Sequence, residues 1–313
     1  MKNLLAAAIC AALSAMPAWA EWTPPGPIKI QIGFKAGGGA DTLARLIAED
    51  ITAEYGWNII PENLDGGGGS VMARALKDAP ADGLTLGMGV TDTFAYDRLA
   101  AKDPGFSLDD FDFLTTIAGT QMGVVAKADR GWNNLSEVIA AAKAGEEISF
   151  GTMTARLADG AYYIGKVNDV NFNIVSGYKG GRDVLNAINA DDVDIGWVAG
   201  PQAKGVAAGD LVNLANGEDQ PLKVSPDSEM LNAVGVDFFF GATFIMMAPG
   251  GLPEDAETAL TDAITAVIQK EGTKSNEFIN RVFVLKIKSG DEADAYVVQE
   301  SKDSEALLEA TAN

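Results

Sequence analysis

Three features of the sequence predict an α/β architecture. Apolar and polar residues alternate over Ile28-Lys29-Ile30-Gln31-Ile32, the period of a strand. Gly37-Gly38-Gly39 then breaks the pattern, and Leu43, Leu46, Ile47 and Ile51 recur at helical spacing. Strand, glycine turn and amphipathic helix in that order make a βα unit, and the same succession of signals returns further along the chain.

Taken in order, the first strand follows Pro24, Pro25 and Pro27. A helix at 71–76 precedes a strand at 84–88. A second helix, carrying Leu135, Val138, Ile139 and Ala142, precedes a strand at 148–150. Residues 172–175, 193–197 and 211–214 read as strands, with a helix at 182–188. Pro253 opens a last clear helix. Glu254 and Asp255 fall in its first turn, where acids favour the dipole, and Leu260, Ala263, Ile264, Val267 and Ile268 form its apolar stripe. No repeat and no low-complexity linker interrupts the series.

The chain has 313 residues, of which 47% are hydrophobic and 21% charged, so it is long enough for about two domains with a substantial core. Lys and Arg number 23 against 44 acids, a formal charge of −21 that opposes binding to nucleic acid or anionic lipid. There is no histidine, which removes the commonest general base and the commonest metal ligand.

The N-terminus reads as an export signal. Lys2 supplies charge, residues 4–16 form an apolar run too short to span a bilayer, and Ala18-Trp19-Ala20 makes a small-x-small cleavage site before Glu21. Residues 1–20 are therefore expected to be removed as a signal peptide. The single cysteine, Cys10, falls inside this segment after Ile9, where a lipid-anchor site wants a small residue. The processed chain would then have neither Cys nor His, leaving no disulfide and no thiolate or imidazole metal site. No cofactor is expected. The destination is a soluble exported protein, periplasmic in a Gram-negative cell.

The densest chemical signal is Gly33-Phe34-Lys35-Ala36-Gly37-Gly38-Gly39-Ala40-Asp41, a glycine loop between strand and helix. Such a loop lets a ligand approach bare N–H groups at a helix N-terminus carrying partial positive charge, which suits an anion. Close packing alone would also explain the glycines. A nucleotide fails on spacing, since neither G-x-G-x-x-G nor the P-loop Gly-Lys-Ser/Thr is present. Gly66–Gly69 reads as a connector. Asp191, Asp192 and Asp194 lack the glutamate an EF-hand requires and read as a solvated turn. No G-x-S-x-G and no histidine supports a serine nucleophile. Tyr162, Tyr163, Tyr178 and Trp197 are candidates to line a pocket, although buried aromatics more often fill a core. Tyr178-Lys179-Gly180-Gly181, between a strand and a helix, is the stronger of these signals.

Several segments taken together resemble the solute-binding proteins of tripartite tricarboxylate transporters, the TctC or Bug family. The family's Phe-x-Pro-Gly-Gly-x-x-Asp loop is matched by Phe34 to Asp41, with Ala44-Arg45 following, although Lys35-Ala36 replaces its proline-containing step. Glu62-Asn63-Leu64-Asp65-Gly66-Gly67-Gly68-Gly69 resembles its Glu-Asn-x-x-Gly-x-Gly-Gly element. Pro80-Ala81-Asp82-Gly83-Leu84-Thr85-Leu86, Tyr178 to Gly181, Phe240-Gly241 and Ala248-Pro249-Gly250-Gly251-Leu252-Pro253 match further elements in the same order. Each match is weak alone; their conjunction spans essentially the whole chain after residue 20.

The resemblance implies a two-lobed periplasmic binding protein of type II-like form, a receptor rather than an enzyme. A βα-built sheet stands in each lobe, and a small mono-, di- or tricarboxylate is held in the cleft between. The first lobe would comprise residues 21–121 plus 243–313 and the second 122–242. The chain would cross near 121–125 and again near 241–244, and these crossings would act as hinges. Ligand contacts are implied at Phe34, Lys35, Gly37, Gly38, Gly39, Asp41 and Thr91 of the first lobe. In the second they fall on Thr152, Thr154 and Arg156 of the loop Gly151-Thr152-Met153-Thr154-Ala155-Arg156, and on Tyr178, Lys179 and Trp197. That loop departs from the family's Gly/Ser-rich form. The implied partner is a multi-spanning membrane permease, with the receptor itself a monomer. The alternatives are a binding protein feeding a sensor kinase and, after it, an exported enzyme.

Overall fold

A computed structural model describes residues 22–312. The signal-peptide reading of residues 1–20 lies outside the described residues. The chain opens with β1 (Ile28–Ile32), α1 (Gly39–Tyr55), β2 (Ile59–Asn63), α2 (Ser70–Lys77) and β3 (Thr85–Val90). A wide π-helical turn at Thr93–Asp97 runs into α3 (Arg98–Ala100), followed by β4 (Phe111–Gly119). Next come β5 (Met122–Lys127), α4 (Leu135–Lys143), β6 (Ser149–Gly151), α5 (Ala155–Val167), β7 (Asn173–Val175), α6 (Gly181–Asn189), β8 (Ile195–Ala199), α7 (Ala203–Ala208) and β9 (Leu211–Asn216). The chain then returns through β10 (Thr243–Pro249), α8 (Glu254–Gln269), α9 (Lys274–Val282), β11 (Val284–Leu285) and α10 (Asp291–Thr311). No helix among the described residues is long and apolar enough to cross a membrane.

The strands form two sheets, one per lobe. The first has the order β11-β4-β10-β3-β1-β2, with β1 parallel to β2 and β3 and with β10 antiparallel to β3 and β4. The second has the order β7-β6-β8-β5-β9, parallel from β7 to β8 and antiparallel on both sides of β5. The βαβ units place the loops that leave β1, β3, β6, β7 and β8 at the carboxyl ends of parallel strands, where α/β folds bind ligands. The alternation read in β1 is the burial of Ile28, Ile30 and Ile32 against α1, whose Leu43, Ala44 and Ile47 are fully enclosed. In the second lobe, the rings of Phe150, Trp197 and Phe240 pack in series at 5.6 and 5.1 Å between centroids.

Two strands of chain join the lobes side by side. Between β4 and β5 the chain passes through Thr120, and on its return before β10 it passes through Gly217, Phe240 and Ala242. The Thr120 N–H donates to Ala242 O, and the Ala242 N–H donates back to the Thr120 hydroxyl. Between them lies Glu218, 4% exposed, whose Oε1 accepts from the Thr120 hydroxyl at 2.9 Å and the Met122 N–H at 2.7 Å. A Cβ on Gly241 would fall 2.0 Å from Glu218 Oε2, so any larger residue there would have to displace the Glu218 carboxyl. α10 spans both lobes: Ala293 and Val297 pack with Met72, Phe94 and Phe113 of the first, and Leu307 packs with Leu157 and Ala161 of the second.

Burial pushes the Glu218 carboxyl up to about 8, more than its two donors can offset. The folded protein therefore holds a proton that the unfolded chain releases near the ordinary value of 4.5. From there up to about 8 the native state binds more protons than the unfolded one, so this group makes stability fall as pH rises. Glu218→Gln keeps an acceptor without the charge. Urea denaturation across pH 5–9 is expected to show a shallower decline for the variant and a variant more stable than wild type at pH 9; parallel curves would refute the assignment.

Candidate functional site

The loop between β1 and α1 exposes Lys35, Ala36, Gly37 and Gly38, and Gly38 caps α1 without any side-chain hydrogen bond. A helix start of this kind leaves backbone N–H groups to be met from outside. The loop keeps its shape through Asp41, only 4% exposed. Its Oδ2 accepts from the Gly37 N–H at 2.9 Å, and its Oδ1 accepts from Arg45 Nε at 2.9 Å and Asn63 Nδ2 at 2.8 Å. Asn63 Nδ2 also donates to Phe34 O, and Arg45 Nη2 donates to Asn63 Oδ1. Asp41 is thus a brace for the loop. Burial would raise its pKa, but the Gly37 N–H, Asn63 and Arg45 outweigh that and hold it below the ordinary 3.8.

The run Gly66–Gly69 answers to packing. All four residues have positive φ; a Cβ on Gly68 would fall 2.3 Å from Asp97 Oδ2, and one on Gly69 would fall 2.7 Å from Thr93 Oγ1. Thr93 Oγ1 donates to Gly68 O at 2.6 Å. Thr91, at the end of β3, is fully buried, its hydroxyl accepting from the Thr243 N–H at 3.4 Å.

On the second lobe, Thr154 is exposed and caps α5 by accepting from the Leu157 N–H at 3.2 Å. Thr152 is fully buried, its hydroxyl 3.0 Å from Ser176 Oγ. The loop into α6 holds the half-buried Tyr178 and the exposed Lys179, and its cap, Gly180, makes no side-chain hydrogen bond. Lys35, Lys179 and Arg182 form no side-chain hydrogen bond or ion pair among the described residues. Trp197 is fully enclosed, its Nε1–H donating to Leu157 O at 3.0 Å, and its ring belongs to the second lobe's core. Arg156, implied by the resemblance to be a ligand contact, is 5% exposed and pairs with Asp92 at 2.8 Å. Burial lowers its pKa, but Asp92 and Glu300 outweigh that and shift it upward. Burial likewise pushes Asp92 up against the pull of Arg156, and burial together with the Asp92 charge raises Asp97 to about 7.

Sequence reading singled out the glycine loop and the Tyr178–Gly181 turn but missed Arg45 and Asn63 as braces and Asp92 as the partner of Arg156. The four-residue step from Asp41 to Arg45 was the one local signal for this network; Asn63 and Asp92 reach their partners only through the fold.

A family model described as the tripartite tricarboxylate transporter family receptor matches residues 43–311. A Cupriavidus necator protein, "UPF0065 protein in gbd 5'region", is 27% identical over 272 residues, 83% of this chain and 81% of the relative. A Rhodopseudomonas palustris protein solved with adipate superposes with a TM-score of 0.79 at 21% identity, covering 92% of this chain and 98% of its own. Another from that organism, with bound malate, gives 0.74 at 18% identity, covering 92% and 100%. BugD, a periplasmic binding protein, gives 0.75 at 21% identity, covering 93% and 99%.

Removing the charge of the brace is expected to be costly. Asp41→Asn should destabilise the protein by about 1.5–3 kcal/mol at pH 7, the scale of hydrogen bonds to a charged group. Because the folded pKa lies below 3.8, the wild-type advantage is present above that value and is lost as pH falls through the depressed one. Urea titrations at pH 7 and pH 2.5 check both; an equal difference at the two pH values would contradict the brace.

Proposed function

The chain belongs to the tripartite tricarboxylate transporter family of receptors, and we propose that it captures a small organic carboxylate between its lobes in the periplasm and delivers it to a membrane permease. As a receptor of this family it is a solute-binding protein and not an enzyme. The observation that carries the ligand class is the braced loop before α1, whose exposed glycines open onto a helix N-terminus with no side-chain cap. The Gly37 and Gly38 N–H groups donate to Asp41 Oδ2 and Lys35 O, so the N–H groups at the start of α1 itself, from Gly39, are the ones left at the positive end of the helix dipole, where they favour an anion without needing a metal or a paired cation.

The second lobe offers a matching feature in α6, which also starts at an uncapped glycine beside Lys179 and Arg182. A ligand with a carboxylate at each end suits two such helix starts. Phe34, Gly37, Gly38 and Gly39 supply the first contact in this reading, and Tyr178, Lys179 and the exposed Thr154 the second. Asp41 shapes the site by holding the loop. The adipate and malate found with proteins of the same fold support a carboxylate and, between them, a dicarboxylate.

Thermal melting of the processed protein across a panel of mono-, di- and tricarboxylates tests the reading. At about a hundredfold excess over the dissociation constant, a true ligand should add about 2.7 kcal/mol of stability, a resolvable rise in Tm. Lys35→Ala and Lys179→Ala should weaken that response without lowering the ligand-free Tm. A flat panel would overturn the carboxylate assignment.

A further inference from the structure

Arg156 is a buried cation whose partners come from three other parts of the chain. Its Nη1 donates to Asp92 Oδ1 at 2.8 Å, just past β3 of the first lobe. Its Nη2 donates to Phe239 O at 2.7 Å, and Nη1 lies 3.5 Å from Gly241 O, both on the crossing that returns to the first lobe. Glu300 of α10 stands 4.0 Å away, and the Phe240 ring lies 5.7 Å from the guanidinium carbon. Nε is buried and has no hydrogen-bond partner among the described residues. The backbone bearing all this belongs to the first turn of α5, in the second lobe.

Further contacts lie around it. Tyr96, on the π-helical turn of the first lobe, donates its hydroxyl to Asp159 on α5. Arg98 Nη2 donates to Ser301 Oγ of α10 at 2.8 Å, and Lys166 of α5 donates to Ala310 O at its far end. An ion pair that leaves water is strongly destabilising when one partner is removed, because the other charge remains buried alone. If the lobes part along this face, both Asp92 and Arg156 regain water.

We propose that the Asp92–Arg156 pair is an interlobe latch that holds the two lobes together without ligand. Arg156 is then a positioning residue: it sets how often the cleft is shut when empty, and so how much of the ligand's binding free energy is used in closure. This rests on the reading that ligand is held between the lobes, but the latch itself is a property of the empty protein.

The test therefore uses no ligand. The processed chain from residue 21 onward carries no cysteine, so it accepts labels at two exposed alanines, Ala53 at the end of α1 and Ala144 at the end of α4. Pulsed electron-spin distances between nitroxides at Ala53→Cys and Ala144→Cys report the separation of the lobes. In the latched protein the distribution is single and narrow. Asp92→Asn and Arg156→Gln should both broaden it and change its mean, and the double variant should go no further than the larger single effect. Arg156→Lys, with a point charge in place of the fork, should fall between. If Arg156→Gln does not fold, Asp92→Asn carries the test alone, since Arg156 keeps its carbonyl partners there. An unchanged distribution in folded Asp92→Asn overturns the latch. A flat carboxylate panel with a latch that still responds would instead overturn the ligand reading alone.

Discussion

A loop of exposed glycines needs something else to hold its shape, and in this protein that is the Asp41 carboxylate. Glycine lets the loop after β1 turn tightly into α1 at the cost of conformational freedom that must be restrained. One buried carboxylate does this by binding Gly37 directly and by gathering Arg45 and Asn63, with Asn63 in turn holding Phe34 O. The network ties the start of α1 to the end of β2, so the glycine loop is fixed from both sides. It also neutralises Arg45, which leaves the helix dipole and the exposed Lys35 as the positive features at the loop.

The rest of the molecule follows the same economy with charge. In a chain of formal charge −21, buried acids stand where segments distant in sequence must stay together. Glu218 binds the crossing between β4 and β5 at Thr120 and Met122, Asp50 accepts from the N–H groups of Lys274 and Ser275 at the start of α9, and Asp92 meets Arg156. Each fixes backbone or a single cation, and each sits at a junction between elements. α10 adds a connection of another kind, an apolar helix face shared between the lobes, so relative lobe motion involves three connections, two crossings and a helix.

The repeating βα pattern was legible because its periods are local. Ile28–Ile32, the helix after it, the strands near 149, 195 and 211 and the helix after Pro253 all carry their burial pattern within a few residues. The antiparallel strands β4, β5 and β10 were not, since both of their faces are covered and their apolar runs have no alternation to read. Aromatic residues divided for a related reason. Trp197 and Tyr178 look alike in sequence, yet β8 is central in its sheet and encloses Trp197, whereas Tyr178 lies on a loop. Arg156 shows the limit most clearly: a charged residue at the start of a helix reads as a ligand contact until a partner 64 residues away is brought beside it.

The central claim is that ligand joins two glycine-started helices from opposite lobes. Amide hydrogen exchange, followed by mass spectrometry with and without a saturating dicarboxylate, tests it most directly. The account predicts slowed exchange confined to two segments distant in sequence, residues 34–42 and residues 177–183, with the outer face of each lobe unchanged. Protection in only one of these segments, or concentrated elsewhere in either lobe, would contradict it.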